Sequence, residues 1–299
     1  MNKKKIAFYH CYTPLHIGSG TALDVIDLPI QREAHTDFPI MPSTAIKGVI
    51  RSEYLLKEIG LNEVSFDEEG DLPEKPEDCT EEISKDKCNK FFNIFGYGER
   101  EGDIIFTDGK ILLFPVKSIK GIFAWITCPF ILERFTRDTG INLEDIPEFQ
   151  DNEAIVGDDI KISDKYLVLE ELSFKIKNNS KDILKNISEC LPEGLKFEIP
   201  EEKIAILSNN NFRYFVKNHT EVNARTRIDQ VTGTVKEGGL WYEELVPAET
   251  VFYNILLSRT DNEENLKEIE YFLKEKEIFQ FGGDETLGRG FTKVYLREE

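Results

Sequence analysis

Cysteine is sparse in this chain and histidine sparser. The five cysteines (Cys11, Cys79, Cys88, Cys128, Cys190) are odd in number, scattered, and contain no Cys-x-x-Cys pair, so neither a zinc ribbon nor a disulfide framework is indicated. The four histidines (His10, His16, His35, His219) show no His-Glu-x-x-His or similar spacing, and no structural metal site is expected. No apolar run reaches the roughly 18–20 residues that a membrane helix needs. Lys3 to Lys5 precede Ile6-Ala7-Phe8-Tyr9, but that stretch is too short for a signal peptide and stops at His10. A cytoplasmic protein with no membrane partner is therefore expected. Positive charge is also short: 37 Lys and Arg stand against 56 Asp and Glu, a net charge of −19. Such a balance argues at first against nucleic acid.

The distribution of charge matters more than its sum. Residues 61–110 hold fifteen Asp/Glu against six Lys/Arg, whereas residues 1–57 hold seven Lys/Arg against five Asp/Glu and residues 203–236 hold six against two. A basic groove on an acidic body can still grip a phosphate backbone, in a salt-dependent way. Acidic surface that merely keeps the protein soluble accounts for the rest. At 299 residues, 40% hydrophobic and 31% charged, the chain can bury a sizeable core. No internal repeat or low-complexity linker is visible, and one elaborated domain over residues 1–299 is expected.

Residues 4–12 read as a buried strand, with Ile6, Phe8 and Tyr12 facing one way and Ala7, Tyr9 and Cys11 the other. Residues 17–42, with two glycines and three prolines, read as an ordered loop. Ser43 reads as an N-cap, followed by Ile46, Val49, Ile50, Tyr54 and Leu55 at helical spacing up to Gly60. Residues 61–90 read as an acidic, poorly packed insertion and 141–165 as a second, looped one. Asp108-Gly109 marks a hairpin between strands at 103–107 and 110–116. Further strands are expected at 118–127, 165–176, 197–206, 222–228, 247–258 and 291–296, with helices at 129–139 and 265–279. Thr232-Gly233 joins two strands into a long arm. The order of elements indicates α+β, an antiparallel sheet backed by helices in the split β-α-β manner.

Two glycine-rich strings bracket the chain: Leu15-His16-Ile17-Gly18-Ser19-Gly20 and Gly282-Gly283-Asp284-Glu285-Thr286-Leu287-Gly288-Arg289-Gly290. Glycines beside arginine suit a backbone that approaches phosphates, or equally a tight turn needing positive φ. Gly282-Gly283-Asp284-Glu285 is also the opening of the diguanylate cyclase signature. Thr286 stands where that signature has Phe, and too little chain follows, which rules the cyclase out. Asp24 and Asp27 in the first loop are able to hold a divalent metal or orient a nucleophile, or serve as turn-formers. His16 suits an assisting or a structural role. Lys47 and Arg51 share one helix face at i and i+4. Arg225 and Arg227 lie on a strand of the arm.

Taken together the strings resemble a known family. The N-terminal glycine string, Asp27-Leu28-Pro29-Ile30-Gln31-Arg32-Glu33, Pro39-Ile40-Met41-Pro42-Ser43-Thr44-Ala45-Ile46-Lys47-Gly48-Val49-Ile50-Arg51 and Glu285-Thr286-Leu287-Gly288-Arg289-Gly290 occur in that order. So do Phe114-Pro115-Val116-Lys117-Ser118-Ile119-Lys120-Gly121, Arg225-Thr226-Arg227-Ile228-Asp229 and Glu237-Gly238-Gly239-Leu240-Trp241-Tyr242-Glu243-Glu244. This resembles the RAMP superfamily of CRISPR proteins over nearly the full length, in particular the backbone subunit of type III-B (Cmr) effector complexes. The Pro-Ile-Gln-Arg-Glu string disfavours the type III-A equivalent.

The resemblance implies a modified RRM (ferredoxin-like) palm with an inserted thumb hairpin, placed at 205–245. It implies copies stacked head to tail into a helical filament on crRNA with other Cmr subunits, and cleavage of a complementary target RNA at regular intervals. A divalent metal (Mg2+ or Mn2+) supports 2′-OH attack there beside a loop aspartate, matched here by Asp27, with Asp24 a weaker match and His16 an assistant. Ser43, Lys47 and Arg51 would meet crRNA phosphates. Gly282, Gly283, Arg289 and Gly290 would lie against the guide backbone, and Arg225 and Arg227 against the duplex. The competing expectation is a non-catalytic RNA-binding scaffold of a type III complex.

Overall fold

In the computed structural model, residues 3–22, 25–60, 76, 85–98, 100–143, 146–177, 181–260 and 263–297 are described. The first strand, Lys4–Cys11, is buried from Ile6 onward on both faces. That is why it reads as a near-continuous apolar run rather than an alternating one. It pairs antiparallel with Val251–Ser258 on one side (Phe8 opposite Tyr253) and with Phe291–Leu296 on the other (Phe8 opposite Tyr295). The strands nearest the two ends of the chain therefore pair side by side in one sheet, close to one of its edges.

That sheet has twelve strands. Its main path runs Ile278–Gln280, Phe291–Leu296, Lys4–Cys11, Val251–Ser258, Gly109–Lys117, Phe123–Thr127, Ile204–Ile206, Glu153–Val156, Leu172–Ile176 and Tyr166–Leu169. Successive side chains of the first strand serve opposite faces. Phe8 packs on Phe135 of the helix Pro129–Thr139, with ring centroids 6.0 Å apart. Tyr9 meets Phe281 at 5.7 Å, which continues through Phe279 to Phe272 of the helix Glu263–Lys276. Tyr54 of the helix Ser43–Tyr54 reaches Phe272 at 5.0 Å and Phe91 of the helix Lys85–Phe95 at 6.3 Å. Each such aromatic pair adds about 0.5–1.5 kcal/mol beyond area burial.

Several expectations need correction. The sheet is mixed, not antiparallel: Ile204–Ile206 runs parallel to Phe123–Thr127, and Leu172–Ile176 to Glu153–Val156. Asp108-Gly109 turns no hairpin. Ile104–Phe106 and Gly109–Lys117 pair end to end along the same neighbour, Val251–Ser258, and the break between them is a kink in one edge. Ser43 is not a side-chain cap; it is the first helical residue, and its amide donates to the Asp108 carboxylate at 2.7 Å. The helix continues as a π-helical turn over Leu55–Gly60, so it does end at Gly60.

Residues 85–90 of the first expected insertion belong to the helix Lys85–Phe95, with Cys88 buried; residues 61–75 and 77–84 lie outside the described residues. Cys88 is disulfide-bonded, a bridge the scattered spacing does not announce. The second expected insertion is not all loop, since Glu153–Val156 is a strand of the main sheet. Of the expected thumb, residues 205–218 belong to the body: Ile204–Ile206 joins the sheet and Asn209–Asn218 is a helix burying Phe212, Phe215 and Val216. The arm proper is Glu221–Ile228 paired with Val235–Leu245, a two-stranded sheet separate from the large one. Among the described residues no helix is long and apolar enough to cross a membrane.

Candidate functional site

The arm is rooted in the N-terminal loop. Leu15 and Val246 exchange both backbone hydrogen bonds (2.9 and 2.8 Å). Leu28 donates to the Tyr242 carbonyl at 3.0 Å and accepts from the Glu244 amide at 3.0 Å. Between these two tethers sits Asp27, half-buried, whose Oδ2 accepts the Tyr242 amide at 2.8 Å. Asp24 lies outside the described residues.

Glu244 is the knot of this junction and carries no signal that loop-and-glycine reading would pick out. Its buried carboxylate accepts from the Ile30 amide at 3.1 Å, the Thr220 hydroxyl at 2.7 Å and the Arg32 guanidinium. A buried carboxylate is stable only when charge-paired and fully hydrogen-bonded, and here one group meets both demands. Glu33 is likewise buried, against Arg134 at 2.6 Å. Much of the Asp27–Glu33 string is thus architecture that holds the loop onto the arm.

His16 is buried. Its Nδ1 donates to the Glu244 carbonyl at 2.6 Å, and its Nε2 lies 3.8 Å from Glu243 Oε1. In this setting the ring is enclosed and orients the loop, which is the structural role open to His16. Arg225 is also not a free duplex-binding cation. Its Nη1 donates to Glu243 at 2.7 Å and to Asp284 at 2.5 Å, which neutralises it within the molecule. Through Asp284 it ties the arm to the C-terminal glycine loop. Arg227, farther along the arm, is exposed with no ion pair among the described residues.

The glycine loop explains its own composition. Gly282 has φ 77°, and a Cβ there would stand 2.1 Å from the His16 carbonyl oxygen. Gly290 has φ 75°, and a Cβ would stand 1.9 Å from the Phe281 carbonyl oxygen. Only glycine fits either position. The expected phosphate cradle is not formed by Gly283 and Gly290, whose amides donate to the His16 and Pro14 carbonyls, both at 2.9 Å. The loop reaches outward instead through exposed Gly282 and Gly283 and half-buried Arg289.

Lys47 and Arg51 are brought together as the i, i+4 spacing predicts. Both are half-buried, and neither has a carboxylate partner among the described residues. Burial and then the neighbouring Arg51 charge pull the Lys47 ammonium below its ordinary value, and burial does the same to Arg51. Arg51 lies over the Phe91 ring at 4.8 Å, which fixes its direction. Two desolvated like charges side by side favour an external anion. Ser43, at the start of the same helix, is already occupied at its amide by Asp108, which competes with a phosphate there.

A divalent metal at the root of the arm would have Asp27 as a carboxylate ligand. The one grouping of three or more His, Cys, Asp or Glu ligands among the described residues is elsewhere, at Glu170, Glu171 and His219. A carboxylate outside any such grouping fits a magnesium-type ion whose shell is completed by water and substrate phosphates, not a protein-built cage.

A sheet holding both chain ends, with helices on its faces and an arm rooted in a glycine-flanked loop, is the build of a RAMP-type protein, and the family model of the RAMP superfamily matches residues 9–293: the chain belongs to that superfamily. Within it, the chain is 38% identical over 300 residues to the CRISPR system Cmr endoribonuclease Cmr4 of Pyrococcus furiosus, spanning 96% of this chain and 93% of that protein. The crystal structure of oligomeric Cmr4 from Pyrococcus furiosus superposes with a TM-score of 0.73 at 30% identity, covering 100% of this chain and 99% of that one. A chain of the type III-B Cmr-beta complex bound to cognate target RNA, at 22% identity, has the same fold, with a TM-score of 0.72 and coverage of 98% of this chain and 97% of that one.

Proposed function

We propose that this protein is the crRNA-binding backbone subunit of a type III-B (Cmr) effector complex and cleaves complementary target RNA at regular intervals. Copies stack head to tail into a helical filament along the guide, beside other Cmr subunits. The first, second, third and fourth strands of an RRM-like palm would be Lys4–Cys11, Gly109–Lys117, Val251–Ser258 and Phe291–Leu296. Their order in the sheet, fourth-first-third-second, supports that reading. The observation that carries the proposal is the seat of Asp27 at the root of the arm, on the Tyr242 amide at 2.8 Å. An arm that crosses the guide–target duplex and a carboxylate beside it then move as one unit.

The target RNA brings its own nucleophile, the 2′-OH. The protein needs to splay one nucleotide, align that hydroxyl with the leaving oxygen and offset charge. Asp27 Oδ2 holds the arm, and its Oδ1 orients the attacking hydroxyl. A divalent metal (Mg2+ or Mn2+), held by Asp27 with RNA phosphates, would supply charge neutralisation at the phosphate. Lys47 and Arg51 bind guide phosphates, with Ser43, Gly282, Gly283, Arg289 and Gly290 along the same path and Arg227 reaching the duplex.

The bond from Tyr242 also favours a second reading, a scaffold in which Asp27 only seats the arm. Asp27→Asn separates the two, because an amide oxygen still accepts from Tyr242. Reconstituted complexes carrying Asp27→Asn should assemble and bind target yet leave it uncut. Cutting at the normal rate in that variant makes the scaffold reading correct.

A further inference from the structure

We propose that Glu170, Glu171 and His219 form a binding site for a divalent first-row transition metal of the zinc type, pinning the outer edge of the sheet to the root of the arm. Glu170 and Glu171 are the two-residue tip between Tyr166–Leu169 and Leu172–Ile176, whose Leu169 and Leu172 pair across the turn. His219 follows the helix Asn209–Asn218, and the arm begins at Glu221. One ligand atom from each of the three residues lies within 4.8 Å of the others.

The histidine is the reason to see more than two surface acids. Its Nε2 is buried and has no hydrogen-bond partner among the described residues. The nearest carboxylate oxygen, Glu171 Oε1, is 3.6 Å away, too far for a hydrogen bond. That separation matches the edge of a tetrahedron with metal–ligand bonds of about 2.1 Å, which is about 3.4 Å. The ring is held in this direction by Tyr214 and Phe215, at 5.5 and 5.1 Å between centroids, and by the helix end, where the His219 amide donates to the Phe215 carbonyl at 2.8 Å. Glu171 is held by the Tyr214 hydroxyl, an outer partner of the kind that orients a ligating carboxylate.

One imidazole nitrogen and two carboxylates suit zinc, and also manganese, iron or nickel, better than magnesium, which rarely takes nitrogen. With three protein ligands the remaining position faces solvent and takes water. The next residue, Thr220, donates to Glu244 at 2.7 Å, so a cation on His219 would stiffen the segment that enters the Glu244 knot. Spacing in the sequence conceals the site, since its ligands come from two distant segments that only the sheet edge and the helix end bring together. The site is independent of Asp27.

The test is calorimetric titration of zinc chloride into chelator-stripped full-length protein, with thermal melting in parallel. One equivalent per chain should bind and raise the melting temperature. Glu170→Gln/Glu171→Gln, on a surface turn, and His219→Ala should each weaken binding at least about tenfold and abolish the thermal shift. Asp27→Asn should bind zinc like the wild type. Absence of saturable binding, or unchanged affinity in the double glutamate variant, would overturn the proposal, leaving Glu171 and His219 as a simple ion pair.

Discussion

Asp27 and Tyr242 are 215 residues apart in sequence and joined by one hydrogen bond, carboxylate to amide, at 2.8 Å. The bond places the loop carboxylate at the root of the arm. It also means that each substitution at Asp27 tests two things, the chemistry and the seat.

Asp27→Asn retains the acceptor for Tyr242 and should melt within a degree or two of the wild type, while target cleavage by the assembled complex falls at least about 100-fold. Asp27→Ala removes the acceptor as well and should lower stability by about 1 kcal/mol in urea unfolding. The gap between the two variants measures the seat alone.

Lys47 and Arg51 should carry guide affinity without carrying stability. Lys47→Ala and Arg51→Ala should each reduce the slope of log affinity against log salt by about 0.7 for a single-stranded guide. Fluorescence anisotropy across a salt series checks this. Lys47→Met should fold at least as well as the wild type, because a half-buried cation with no carboxylate partner among the described residues is replaced by an apolar stem.

Arg225 should do the opposite. Arg225→Met leaves the buried Glu243 carboxylate without its cation and should destabilise towards the lower end of about 3–5 kcal/mol, since the guanidinium is partly exposed. Adding Glu243→Gln should recover most of the loss, a coupling that urea unfolding of the four proteins in a double-mutant cycle reads directly.

The glycines should divide into two classes. Gly282→Ala combines a left-handed backbone with a 2.1 Å clash against the His16 carbonyl oxygen, and a loss of at least about 2 kcal/mol is expected. Gly288, with φ 74° and open space around it, should lose only about 1 kcal/mol on substitution by Ala. Thermal melting of the two variants checks the ranking.

Glu198 supplies a pH signature. Burial pushes its carboxyl up, but the hydroxyls of Tyr295 (2.6 Å) and Tyr12 (2.7 Å) and the His10 ring (2.8 Å) outweigh it and leave it below the ordinary carboxylate value. A depressed folded-state value gives stability that is present above the unfolded carboxylate range and lost as pH falls through the folded one. Tyr295→Phe should therefore flatten the acid limb of a stability-against-pH curve below about pH 4.5, with little change in the slope at neutral pH.

What the chain announced was whatever depends on near neighbours. The apolar run of the first strand, the Pro129–Thr139 helix, the Lys47–Arg51 pair and the left-handed glycines at 282 and 290 follow from period, propensity and local sterics. The Asp108-Gly109 turn was misread because a hairpin signal is local while strand partnership is not: Val251–Ser258 pairs with both halves and draws them into one line. Helices at Lys181–Cys190 and Asn209–Asn218 escaped for a related reason, being short and stabilised by packing more than by propensity.

Sequence by itself determined the family motifs, the charge segregation and the placing of a glycine string near each end of the chain. Only the tertiary structure decided which charges remain available. Arg225 is consumed by Glu243 and Asp284, and the amides of Gly283 and Gly290 by the carbonyls of His16 and Pro14, whereas Lys47 and Arg51 have no carboxylate partner among the described residues. The physical reason is that pairing and desolvation depend on distances of a few ångströms between segments from about twenty to several hundred residues apart, and no local pattern encodes those distances.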